Sequence, residues 1–454
     1  MPPTDEHTVV YRDGHFWPER LDVVTGDTVV FLNDSEQPVW PASNIHPTHA
    51  ILPEFDPLGV IRPGEAWQHT FTKSGYWRYH NHIEPSEVGM IVALGAPEDV
   101  EPLPAVLEPL RFPAAPPGTA DDHDLVDDDA ALAAFVETYG PTQATLLLSD
   151  RGIATGWSCH DRAHEVGRLS YEIHGPASIV SSPHECQAGA MHGALEALFA
   201  DRGTGRLDSD FLALCSAFAD DFARHNCLHG IGHGLMAWTS YELHEALGLC
   251  GRAPSDWAAA SCASGVFMEN VVGGLSGLMG HETEYLRPDD PVFPCDAVAE
   301  QWVDDCYFYQ TSHMAGILGG DFAAVSELCA EAPETAQLAC YASMGRDVSV
   351  WVGKDPAAGI AQCGHAPDGP PRVECLQGAM QDAFWSAEGA PTAAEFCRLL
   401  APGSAEAERC YEVLLDRARS VLSDPSQRAG LCESIHDGYW RHECRDRLND
   451  SHSY

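Results

Sequence analysis

Cys363-Gly364-His365-Ala366-Pro367-Asp368-Gly369-Pro370-Pro371-Arg372-Val373-Glu374-Cys375 reads as one helical hairpin. Proline in Ala366-Pro367-Asp368-Gly369 ends one helix and opens the next, so Cys363 closes the first helix and Cys375 falls in the early turns of the second. The unit recurs as Cys215/Cys227, Cys250/Cys262, Cys295/Cys306, Cys329/Cys340, Cys397/Cys410 and Cys432/Cys444. The turn recurs in Ala253-Pro254-Ser255-Asp256, Ala332-Pro333-Glu334 and Ala401-Pro402-Gly403-Ser404. First members follow one another by 34 or 35 residues, with one step of 45 between Cys250 and Cys295. A fixed period of that size predicts a two-helix solenoid, here stapled by disulfides.

Each staple closes a short loop and is worth roughly 3 kcal/mol in the chain-entropy account. Cys159 and Cys186 have no partner at this spacing, because Leu147 and His174 hold the expected places, so they are expected to pair with each other. Zinc sites are the competing reading of cysteines near histidines. Zinc motifs hold their cysteines two to four apart, whereas these lie eleven to thirteen apart across a turn, so disulfides are the expectation.

Three residues after the second cysteine comes Gly189, Gly230, Gly265 or Gly378, and recurrent glycine in a helix interior predicts tight helix packing. Six residues after it stand His192, His233, Met268, Ser312, Arg346, Gln381 and Asp416. A position of fixed geometry and changing chemistry is expected to line an exposed solenoid groove, where a protein or peptide ligand would sit. The early repeats are rich in histidine. His160 and His164, like His229 and His233, are four apart and share a helix face, and His192 lies between the two pairs with Glu196 one turn on. Together these five imidazoles form a candidate metal cluster in the helical part, with interhelical hydrogen bonding as the plainer alternative.

The first 158 residues contain no cysteine. Thr8-Val9-Val10-Tyr11, Asp27-Thr28-Val29-Val30-Phe31-Leu32, Trp67-Gln68-His69-Thr70-Phe71 and Tyr76-Trp77-Arg78-Tyr79 are β-rich runs, punctuated by Gly26, Pro63-Gly64 and Ser74-Gly75. They predict an antiparallel β-sandwich. Two histidine clusters stand in it, His46-Pro47-Thr48-His49 and His80-Asn81-His82. The division expected is a β-domain over 1–95, a Pro/Ala/acidic linker over 96–122 and the cysteine-paired helical domain over 123–454.

At these residues the β-domain resembles the cupredoxins, most closely the copper domain of multicopper oxidases, whose His-Pro-x-His loop is followed by a His-Cys-His-Ile strand. Here the strand reads His80-Asn81-His82-Ile83-Glu84-Pro85-Ser86-Glu87-Val88-Gly89-Met90. The resemblance implies that His49, His80 and His82 correspond to ligands of non-blue copper sites and His46 to a ligand of the blue site. Asn81 replaces the thiolate, and Ser86 or Glu84 stands where the next ligand histidine belongs. A blue centre needs that thiolate, so copper on imidazoles is expected, with zinc as the alternative.

The formal charge of −43, from 68 acidic against 25 basic residues, repels nucleic acid and anionic membranes. No apolar run is long enough to span a bilayer. The N-terminal Met1-Pro2-Pro3-Thr4-Asp5-Glu6 lacks the basic and apolar regions of a signal peptide, so the expectation of an extracytoplasmic or secreted protein rests on the cysteines. The leading functional expectation is an extracytoplasmic copper-binding protein with an electron-transfer or oxidoreductase role and a redox partner. The alternatives are a protein-interaction solenoid with an accessory β-domain, and a metalloenzyme built on the helical histidines.

Overall fold

The computed structural model describes residues 5–44, 49, 52–95, 101–116, 122–155, 159–183, 185–218, 221–273, 283–422 and 424–449. The chain forms two compact units, Met1–Ala217 with His233–Ser255, and Phe218–Gly232 with Asp256–Tyr454. Strands come first and helices after.

The strands are β1 (Glu6–Arg12), β2 (His15–Trp17), β3 (Arg20–Val24), β4 (Thr28–Asn33), β5 (Pro41–Ser43), β6 (Ala66–Thr70), β7 (Gly75–Asn81) and β8 (Glu84–Leu94). They form two four-stranded sheets, ordered β2-β1-β4-β6 and β3-β8-β7-β5. The expected two-sheet sandwich is there, and two of its pairings, β1 with β4 and β3 with β8, are parallel. Each parallel pair joins strands that the chain reaches only after a crossing to the other sheet.

Period-2 alternation fixes which side chains face inward. On β4, Val29, Phe31 and Asn33 are buried while Thr28, Val30 and Leu32 are half-buried. On β7, Tyr79 is fully buried and meets Phe16, Phe31 and Phe55 with ring centroids 4.8, 5.3 and 5.4 Å away. Arg78 and His80 therefore point out of the sandwich. Beside them the Ser240 hydroxyl donates to the Tyr76 carbonyl at 2.5 Å, and Arg78 pairs with Glu242.

Residues 101–116 carry no helix or strand and are pinned, with Leu107 buried and the Leu110 amide donating to Ser181 Oγ at 2.8 Å. The helices of the first unit begin with α1 (Asp122–Asp127) and α2 (Asp129–Thr155), the latter broken at Gly140. Then come α3 (His160–His174), α4 (Ala177–Ser181), α5 (Gly189–Arg202) and α6 (Leu207–Cys215). Next are α7 (Asp221–Trp238), which enters this unit at His233, and α8 (Leu243–Cys250).

In the second unit α9 (Asp256–Met268) is followed by Val303–Ile317 and then by paired helices, among them Phe322–Glu331 with Gln337–Trp351 and Pro356–Cys363 with Pro370–Ala383. Cys363 is the last residue of its helix and Cys375 lies in the second turn of the next, with Cα atoms 5.6 Å apart. Cys295 is bridged to Cys306 from an irregular segment, which accounts for the one step of 45 in the repeat.

All sixteen cysteines are in disulfides. The pairs include Cys159–Cys186, Cys329–Cys340, Cys397–Cys410 and Cys432–Cys444, and Cys215, Cys227, Cys250 and Cys262 are bridged as well. The recurrent glycine lets backbones touch: a Cβ on Gly378 would stand 2.0 Å from the Ala342 carbonyl oxygen. The position three residues further on is not a uniform groove lining. His192 and His233 are buried, Met268, Ser312 and Arg346 are half-buried, and only Gln381 and Asp416 are exposed. Among the described residues no helix is long and apolar enough to cross a membrane.

Candidate metal centres

In the β-domain, His80 is the next-to-last residue of β7, Asn81 ends the strand, and His82 opens a two-residue turn, His82-Ile83, before Glu84 starts β8. Asn81 makes that turn. Its side-chain oxygen accepts the amides of Trp40 at 3.0 Å and Ile83 at 3.2 Å, and its amide donates to Glu87 at 2.7 Å. The residue in the thiolate's place is thus a backbone clamp facing away from the imidazoles. Glu84 and Ser86 lie exposed on β8, where the Ser86 hydroxyl donates to Glu84. His46 lies outside the described residues.

His49 arrives from a loop in the left-handed conformation, φ 52°, and the Ser43 hydroxyl donates to its carbonyl at 3.0 Å. Its Nδ1–H donates to Asp56 at 2.6 Å, and its Nε2 lies 2.9 Å from His82 Nδ1. The His80 Nδ1–H donates to Asn44 Oδ1 at 3.0 Å. Ligand nitrogens of His49, His80 and His82 all fall within 4.8 Å of one another.

Asp56 stays an anion. Burial works to raise its pKa, but the Trp40 indole N–H, the Leu58 amide and His49 outweigh it and hold the carboxyl below the usual range. A carboxylate behind a ring N–H fixes the tautomer and turns the other nitrogen's lone pair toward the cluster, the arrangement that supports metal-bound histidine. Asp56 and Asn44 were missed by sequence reasoning, since nothing in their spacing marks them as partners of distant imidazoles.

In the helical part of the first unit, His160 and His164 on α3 meet His192 on α5, with ligand nitrogens again within 4.8 Å. His233 stacks on His192, centroids 4.3 Å apart and planes 14° from parallel. His229, in the second unit, hydrogen-bonds through Nδ1 to Ser264 at 2.8 Å and sets Nε2 3.3 Å from Met268 Sδ.

No known protein family and no curated protein matches the chain. Among solved structures, the purple cupredoxin of Nitrosopumilus maritimus is similar to the β-domain at 21% identity, covering 19% of this chain and 98% of that one with a TM-score of 0.18. A Cu(I) form of an amicyanin variant is similar at 24% identity, over 20% of this chain and 86% of that one, TM-score 0.18. Likeness of this extent bears on neither the metal nor its ligands.

Proposed function

We propose that the chain is an extracytoplasmic copper-binding protein of cupredoxin type, holding copper(II) on His49, His80 and His82 in a non-blue site. The observation that carries this reading is the 2.9 Å approach of His49 Nε2 to His82 Nδ1, with Asp56 behind the first ring. Two nitrogens bound side by side in a square plane at about 2.0 Å lie about 2.8–2.9 Å apart, and nitrogen ligation of that geometry is what copper(II) prefers. Without a thiolate the site lacks the bonding that tunes blue copper for electron transfer, so its redox role is oxidoreductase chemistry at an imidazole-bound ion. Sixteen bridged cysteines fit an oxidising compartment.

Copper(II) titration of the full chain, followed by electron paramagnetic resonance, tests the reading. A pale protein with a tetragonal nitrogen signal is expected, and His80→Ala with His82→Ala should remove one equivalent of copper. An intense blue colour, or unchanged stoichiometry in the double variant, would overturn it.

A further inference from the structure

The three helical imidazoles are arranged differently from those of the β-domain. The rings of His160, His164 and His192 stand nearly perpendicular to one another, at 76°, 77° and 75°, with centroids 4.7, 5.7 and 5.5 Å apart. One ligand nitrogen from each of the three rings lies within 4.8 Å of the other two. His160 Nε2 and His164 Nε2 lie 3.2 Å apart. A tetrahedral ion with nitrogens at 2.0–2.1 Å has edges of about 3.3–3.4 Å, so the pair already stands close to a tetrahedral edge. In the β-domain the matching angles are uneven, 54°, 81° and 36°.

Each ring of α3 is held from behind. The His164 Nδ1–H donates to Glu196 at 2.7 Å, and Glu196 in turn accepts from Arg168 at 2.9 Å. The His160 Nδ1–H donates to the Cys186 carbonyl at 2.9 Å. That carbonyl is itself fixed, because Cys186 is bridged to Cys159, the residue before His160. Cys186, Gln187 and Ala188 all have positive φ, of 52°, 55° and 58°. A non-glycine residue there costs about 1–3 kcal/mol and persists where its surroundings enforce it, which is characteristic of built sites. Both α3 rings thus have Nδ1 engaged and Nε2 turned toward one another, the tautomer that metal binding requires.

We propose that His160, His164 and His192 form a second metal site, for zinc(II), and supply three of the four positions of a tetrahedral ion. It is distinct from the copper site of the β-domain in residues and in geometry.

The test uses the full chain carrying His80→Ala and His82→Ala, which takes two of the three imidazoles from the β-domain cluster. Zinc(II) is titrated in competition with a chromophoric chelator, and cobalt(II) is substituted to report geometry. One zinc per chain and the intense visible bands of tetrahedral cobalt are expected. Adding His164→Ala should weaken zinc on the order of 100-fold or more, and Glu196→Gln about 10–100-fold. Glu196→Gln keeps the side chain's size, so it remains informative if circular dichroism shows that His164→Ala has lost its helices. No zinc taken up by the parent, a pale octahedral cobalt spectrum, or parental affinity in folded Glu196→Gln would each overturn the proposal.

Discussion

Gly193 on α5 lies so close to His164 on α3 that a Cβ added to it would stand 1.9 Å from the His164 carbonyl oxygen. Gly167 makes the reciprocal contact, with a Cβ position 2.0 Å from the Ala190 carbonyl. The two helices meet backbone to backbone, which is why short imidazoles on both can share a centre. Gly193→Ala must part them by roughly 1 Å, a strain worth about 1–3 kcal/mol. Its thermal midpoint should fall and its zinc affinity with it, while copper(II) bound in the β-domain keeps its resonance spectrum.

Asp56→Asn tests the support behind His49. The amide keeps an oxygen for the Trp40 and Leu58 donors but loses the charge that fixes the His49 tautomer. Copper(II) affinity should fall about 10–100-fold with the fold intact, as loss of such a partner does. Titration with a competing chelator reads this directly, and unchanged affinity would separate Asp56 from the site.

Sequence legibility followed the range of the interactions. The hairpin disulfides could be read because a hairpin keeps its partners at fixed spacing, and Cys159–Cys186 because those two cysteines were the ones left outside that spacing. His80 and His82 could be read as neighbours from strand period, and His160 with His164 from helix period. Asp56, Asn44 and the Cys186 carbonyl could not, since they reach the rings through space. The burial of His192 and His233 was hidden for a related reason: the six-residue offset fixes a direction on the helix but not what covers it. Gly193 lies one residue beyond His192 and outside the glycine pattern, so only the crossing of α3 and α5 reveals its role.

Breaking the Cys159–Cys186 bridge should reach the helical site. The bridge closes a separation of 27 residues and is worth about 3–4 kcal/mol in the chain-entropy account. Cys159→Ser with Cys186→Ser also frees the left-handed run from Cys186 to Ala188 to relax, which withdraws the carbonyl behind His160. Both the thermal midpoint and the zinc affinity should drop. A variant that loses stability but binds zinc as before would uncouple the bridge from the metal.

Asp305, in the second unit, gives a pH dependence of known sign. Burial, with Asp304 beside it, raises its carboxyl to about 7. Between the ordinary carboxylate range and that value the folded chain holds a proton the unfolded chain has released, so stability falls as pH rises through this window. Asp305→Asn removes the proton from the balance. Relative to the parent, its thermal midpoint should gain progressively from pH 4 to 8, and a constant difference would show that Asp305 titrates normally.

Restoring the missing cysteine should not restore a blue site. Asn81 is 2% exposed and its side chain is committed to the Trp40 and Ile83 amides and to Glu87, on the face of the strand opposite His80. In Asn81→Cys the sulfur would therefore lie beside Glu87 and Tyr11, whose hydroxyl donates to Glu87 at 2.7 Å, and away from the three nitrogens. The substitution also leaves the Glu87 carboxylate short of a donor and two backbone amides without an acceptor, a loss of about 1–3 kcal/mol for each buried group left unpaired. Copper(II) added to Asn81→Cys should give the same pale, tetragonal spectrum as the parent on a less stable protein. An intense sulfur-to-copper charge-transfer band would mean that residue 81 can turn into the cluster, and the clamp assigned to Asn81 would then be wrong.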